Sequence, residues 1–354
     1  MSSREARKAG FGRPVNYPLI LGLILVIGLI VIAAFGPMIA PHDPLETFYI
    51  IQLPNGEFRT APYAPGDVPD FPLGTDFDGR DLLSRILWGV RPTLILTFLV
   101  ATVRLPLGVA LGFIEGWYGG FVGEVISSMR RLAMGVPILF GAIIVIYLFG
   151  YRLEAWMFII ALTVTGWAPT TKVMAERARL VREEAFIEAS RALGAGNIRL
   201  LVKHLLPQVR TLILVTWAFE LSAALLQLAE LGFLGYFVGG GEIRLVPSSQ
   251  NAGFDQSLIA GRPELGQMMA GGWENITLVP WMTFTAATVV FISILAFLML
   301  GEGLKRYYAS GAGAVPVRRR PLFARRRQEA VAVQAKADGD LVLPMPKARD
   351  IIRP

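Results

Sequence analysis

The residues of this chain that could carry chemistry fall into a few places. One is a polar stretch, residues 172–210, whose centre reads EASRALGAGNIRLLVKHLLP over residues 188–207. Another is a set of charges set inside otherwise apolar runs, namely Arg104, Glu115, Glu220 and Glu230. A charge at hydrocarbon depth is costly and by default faces a water-filled cavity or a partner charge. Arg104 and Glu115 are eleven residues apart, which on a helix puts them on nearly one face, about 16 Å apart along the axis. Arg104, Glu220 and Glu230 are possible pathway-lining residues; for Arg104 the alternatives are pairing across an interface with another subunit and a structural ion pair with Glu220 or Glu230. The two histidines, His42 and His204, are far apart, and there is no cysteine. A transition-metal site, a disulfide framework and thiol chemistry are therefore not expected. No phosphate-binding Gly-x4-Gly-Lys-Ser/Thr and no HExxH occurs, and no catalytic set is assigned. The chain is expected to bind no cofactor itself.

These residues need elements to hold them, and composition says which. The 354 residues are 54% hydrophobic and only 17% charged, against about 25% charged in soluble domains. Apolar runs of about 20 residues span a bilayer as helices. They occur near residues 18–39, 92–114, 132–151, 155–171, 211–238 and 275–301. The runs are continuous rather than alternating, so helices and not barrel strands are expected. With the N-terminus in the cytoplasm, 26 of the 34 Lys and Arg fall on the inner side and seven on the outer, with Arg104 inside a span. Basic residues mark cytoplasmic loops, so both termini are expected inside. The net charge of +7 is then a topology signal, and nucleic acid is not an expected partner.

The resulting layout is an all-α membrane protein with six transmembrane helices. Residues 1–16 form a cytoplasmic tail, 17–40 the first span, and 41–91 an outer loop. Residues 92–308 form a five-helix core with a cytoplasmic loop at 172–210 and an outer loop at 239–274. Residues 309–354 form a disordered basic tail beside membrane lipid, with arginine triplets at 318–320 and 325–327. The uncharged run 14–41 is longer than the core of a cleaved signal and reads as an anchor. Residues 78–90, DGRDLLSRILWGV, place Leu82, Leu83, Ile86, Leu87 and Val90 on one face, predicting a short helix at the outer interface. Pro137 is expected to kink the third span.

Residues up to Leu193 favour helix, and Gly194-Ala195-Gly196 breaks it, because glycine adopts the left-handed conformation that ends helices. Asn197 is a candidate N-cap for a second short helix, and Pro207 is expected to end or redirect it. Small side chains at Ala185, Ala189, Ser190 and Ala192 allow another surface to approach closely. The pattern predicts a cytoplasmic helix–turn–helix docked on a partner.

That segment resembles the EAA loop of ABC importer permeases. Glu188, Ala189 and Ser190, then Gly194, then Leu206 and Pro207 stand at the motif's spacing, with Ser190 in place of the common second alanine. Residues 73–94 (LGTDFDGRDLLSRILWGVRPTL), 35–46 (FGPMIAPHDPLE), 116–125 (GWYGGFVGEV) and 295–306 (LAFLMLGEGLKR) are similar, in order, to the C-type permease of the dipeptide/oligopeptide/nickel family. The resemblance covers residues 17–308. It implies a type I importer permease in the cytoplasmic (inner) membrane of a prokaryote, forming half of a translocation pathway for peptides or a related solute. It implies a second homologous permease, two ATPase subunits holding ATP and Mg, and an extracytoplasmic substrate-binding protein as partners. The motif residues Glu188, Ala189, Ser190, Gly194, Leu206 and Pro207 are implied to couple to the ATPase. Glu230 stands five residues before Gly235, where the family carries its acid about seven before, so that role is not carried over. Residues 237–263 read as an insertion. A non-transporting scaffold or receptor subunit is the alternative, as is the same fold importing nickel chelates or oligosaccharides.

Overall fold

A computed structural model describes residues 15–54, 56–149, 154–238, 241–247, 254–260 and 263–311. The N-terminal tail and most of the basic C-terminal tail lie outside the described residues.

Helix α1 (Tyr17–Ile39) starts at Asn16, whose Oδ1 accepts from the Leu19 amide at 3.3 Å and whose Nδ2 donates to the Gly303 carbonyl at 2.7 Å. The cap thus ties α1 to the last helix. A loop carrying a small antiparallel hairpin, β1 (Ile50–Gln52) with β2 (Phe58–Thr60), follows and pairs Ile50 with Thr60. Tyr63, Val68 and Phe71 form the loop's own core, with His42 stacked on Phe71.

Helix α2 (Leu82–Tyr118) runs unbroken for 37 residues, about 55 Å, well beyond the hydrocarbon core. The separate short helix expected over 78–90 is instead the first turns of α2. Its polar face is buried, not wetted. Asp81 accepts from the Leu83 and Ser84 amides as N-cap. Arg85 is fully buried, donating to the Pro44 carbonyl and to Gln267 Oε1 at 3.3 and 3.4 Å, with Asp76 at 3.5 Å. A buried guanidinium must be paired, and the loop 41–81 folds over the helix start to do so.

The third run is a bent pair, α3 (Gly120–Gly135) and α4 (Ile138–Leu148), meeting at 96°. Pro137 sits at the N-cap of α4 rather than inside a helix. The fourth run is α5 (Ala155–Gly166) and α6 (Ala168–Arg182), bent by 46° at Trp167. Then come α7 (Ala185–Ala192), α8 (Asn197–Leu200), a π-helical turn (Leu201–Leu205) and α9 (Leu206–Phe233). The expected insertion holds an antiparallel hairpin, β3 (Gly241–Pro247) with β4 (Phe254–Ala260). Helices α10 (Leu265–Glu274) and α11 (Pro280–Gly311) complete the chain.

Among the described residues four continuous helical stretches are long and apolar enough to cross a membrane, and up to six if each bent pair crosses once. Their inner faces meet in an apolar core of α2 (Leu96, Val100), α4 (Ile146), α5 (Phe158, Leu162) and α9 (Leu221, Leu225). A separate core lies at the other end around Trp117, Val181, Ile187, Leu200 and Val209.

Candidate coupling site

Helix α7 is short because its sequence ends it. Gly194 takes φ +87°, the left-handed conformation that only glycine enters without penalty. The Ala195 amide donates to the Ser190 carbonyl at 3.1 Å and the Gly194 amide to Arg191 at 2.9 Å, closing the helix end. Asn197 is not the N-cap of α8. Gly196 holds that position, and the Asn197 Oδ1 accepts from Trp117 Nε1 at 3.4 Å. Pro207 does not end the helix either. It stands in the first turn of α9, directly after the π-turn, in which the Leu206 amide bonds back to the Leu201 carbonyl. The wider turn removes the proline ring's clash with the carbonyl four residues back, so the helix continues from α8 to Phe233.

One residue anchors α7. Ile187 is fully buried among Trp117, Ala178, Val181, Leu200 and Val209. The rest of the helix faces outward: Glu188, Ala189 and Gly194 are exposed, and Leu193 and Ile198 are 90% and 75% exposed. Ser190 spends its hydroxyl on the Phe186 carbonyl at 2.8 Å. Leu206 and Pro207 are also exposed, but sit past the π-turn at the start of α9. The motif residues therefore split between a projecting knob, α7 to Gly194, and its rear support.

Of the intramembrane charges, two come together. Arg104 is 1% and Glu220 6% exposed, and they form an ion pair. Arg104 also donates to Gln227 Oε1 at 2.7 Å, and Thr170 donates to Glu220. Of the roles open for Arg104, the ion pair with Glu220 is the one seen within the chain. Glu230 stands apart and exposed near the C-terminal end of α9. Glu115 accepts from Arg130 at 2.9 and 3.0 Å and from Arg179 at 2.9 Å, clamping α2, α3 and α6 together.

Sequence reasoning missed Gln227, Thr170 and Gly166, which complete the Arg104 site, and Glu264. Uncharged polar residues inside apolar runs were the available signal for Gln227 and Thr170. Glu264 is the N-cap of α10, 5% exposed, accepting from the Gly266 and Gln267 amides at 3.4 Å. Burial pushes its pKa up to about 7 against those two hydrogen bonds. The sequence carried no standard mark for this cap, because Glu is not among the preferred capping residues and Pro263 stands before the cap rather than at the first helical position.

The chain is 29% identical over 298 residues to the dipeptide transport system permease protein DppC of Haemophilus influenzae, covering 82% of this chain and 89% of that protein. It is 27% identical to the oligopeptide transport system permease protein OppC of Bacillus subtilis, covering 80% and 83%. Among solved structures, an inward-facing form of the MetNI methionine ABC transporter aligns at a TM-score of 0.46 and 20% identity, covering 64% of this chain and 95% of that one. Residues 16–62 match the N-terminal transmembrane domain of oligopeptide transport permease C. Residues 105–307, more than half of the chain, match the model of the binding-protein-dependent transport system inner membrane component, and the chain belongs to that family.

Proposed function

We propose that this chain is one of two permease subunits of an ATP-driven importer in a prokaryotic inner membrane. It crosses the membrane six times with both termini inside and forms half of a translocation pathway for peptides or a related solute. ATP and Mg are held by two partner ATPase subunits, and an extracytoplasmic binding protein delivers the solute. The relatives named for dipeptide and oligopeptide transport support the solute class.

The observation that carries the reading is the shape of α7. An eight-residue helix is anchored by Ile187 alone while Leu193 and Ile198 stand in the open. Exposed apolar side chains at a projecting tip mark a protein contact. Glu188, Ala189, Ser190 and Gly194 would seat in a groove of the ATPase subunit, and Leu206 and Pro207 would stiffen the base. Glu230, exposed in its span, is the charge offered to the pathway, whereas Arg104 and Glu220 neutralise each other behind it.

The test is co-purification of the assembled complex. Leu193→Asp should lower recovery of the ATPase subunits at least about tenfold while leaving the permease in the membrane and paired with its partner permease. Undiminished ATPase recovery with this variant would overturn the docking role of α7.

A further inference from the structure

Two of the apolar cores of the membrane-spanning unit, besides the one around Leu82, Met268 and Ala286, do not merge. One holds upper α2, α4, α5 and upper α9; the other holds Trp117 of α2, α6, α7, α8 and Val209 of α9. Between them lies a polar layer in which Arg104, Thr170, Glu220 and Gln227 bind one another across three helices. Backbone irregularities fall at the same level. The α5–α6 break is at Gly166 and Trp167. In α2, Pro106 removes an intrahelical hydrogen bond just below Arg104. Gly166 makes room for the guanidinium, since a Cβ there would lie 2.3 Å from Arg104 Nη1 and 2.9 Å from its Cδ.

Below this layer the chain is zipped. A Cβ on Gly108 would meet Thr170 Cβ at 2.8 Å, one on Gly112 the Thr171 carbonyl at 2.7 Å, and one on Gly116 the Ala175 carbonyl at 2.3 Å. Glu115 with Arg179, and Arg182 Nη1 with the Trp117 carbonyl at 3.1 Å, close the same seam. Lower α2 and α6 therefore form one rigid body, on which α7 is seated through Ile187. A close-packed body cannot bend and must pivot at its edge.

We propose that the Arg104–Glu220–Thr170 bridge, seated on Gly166, is the pivot about which this lower body swings when α7 is moved. The proposal rests on the permease reading above. An ion bridge suits a pivot better than an apolar contact. Its partners tolerate sliding within a network of donors, and a buried pair adds specificity more than stability. Arg104 and Glu220, both buried within the chain, are positioning residues: they decide where the displacement of α7 is converted into movement of the spans.

The chain has no cysteine, so paired spin labels can be placed at will on the assembled complex. One pair, Phe98→Cys with Glu184→Cys, spans the layer; the other, Tyr118→Cys with Glu184→Cys, lies within the lower body. All three positions are exposed. Trapping the complex with ATP and vanadate should change the first distance by about 2 Å or more and leave the second unchanged. The double variant Arg104→Met/Glu220→Leu, which joins the two apolar cores, should reduce the first change at least threefold while ATP is still bound. A wild-type change that is equal in both pairs, or absent from both, would overturn the pivot, whether or not the double variant assembles. A complex that hydrolyses no ATP when supplied with its binding protein would instead sink the permease reading itself.

Discussion

At the scale of single residues, the pieces that could be read from sequence were those whose roles are local. Gly194 ends α7 with its own φ of +87°, and neighbouring residues suffice to say so. Arg104 could be recognised as a charge needing a partner, but Gly166, Thr170 and Gln227 gain their roles from contacts made 50 to 123 residues away in the chain. Glu264 adds a consequence that can be measured. An exposed glutamate titrates near 4.5, whereas burial holds this one near 7. The fold therefore binds the proton more tightly than the unfolded chain does. The stability contributed by the neutral acid is complete below about pH 4.5 and is lost as the pH rises through about 7, a change of the order of 3 kcal/mol. Thermal unfolding of the purified protein should show wild type losing stability between about pH 5 and 8 relative to Glu264→Gln. Parallel pH profiles for the two proteins would mean that Glu264 does not titrate in this window.

At the scale of elements, hydropathy located the apolar runs and missed how they are joined. The run at 132–151 gives no hint of a 96° corner, because the helix before the corner starts at Gly120, in a stretch with Glu124, Arg130 and Arg131 that hydropathy leaves outside the span. The first turns of α2 looked amphipathic, yet Arg85 and Asp81 on their polar face are buried by a loop the pattern could not place. Pro207 looked like a terminator because periodicity has no term for a π-turn that makes room for it. The seam of α2 on α6 was legible only as small residues at a helix surface. Its geometry now sets an expectation for Gly116→Ala. The added methyl would meet the Ala175 carbonyl at 2.3 Å, and backbone cannot step aside as a flexible side chain can. Overpacking of this kind costs about 1–3 kcal/mol. Gly28→Ala, with nothing within 4 Å of the new Cβ, is the control and should stabilise by about 0.5–1 kcal/mol through helix propensity. Melting curves in detergent that lower Tm equally for both would refute the seam.

At the scale of the whole molecule the issue is how many times the chain crosses. Four continuous helical stretches suffice for length, and the bent pairs α3–α4 and α5–α6 decide between four crossings and six. Most of the surface cannot tell these apart. If α1 and α2 cross and both bent pairs turn back, α7 still lies inside and the β1–β2 hairpin outside, as in the six-crossing arrangement. The segment between α4 and α5 is different: it is outside if each pair crosses and inside if each is re-entrant. Glu154, exposed at the start of α5, reports on it. The absence of native cysteine makes single-cysteine labelling clean. In intact cells with a permeabilised outer envelope, a membrane-impermeant maleimide should modify Phe58→Cys and Glu154→Cys and leave Leu193→Cys untouched. In inverted vesicles the pattern should reverse. The positive-inside count favours this result, since 172–210 alone carries eight basic residues that resist transfer across the membrane. If Glu154→Cys reacts from the same side as Leu193→Cys, the bent pairs are re-entrant. The polar layer around Arg104 would then have a membrane-embedded turn as its neighbour instead of a second set of spans.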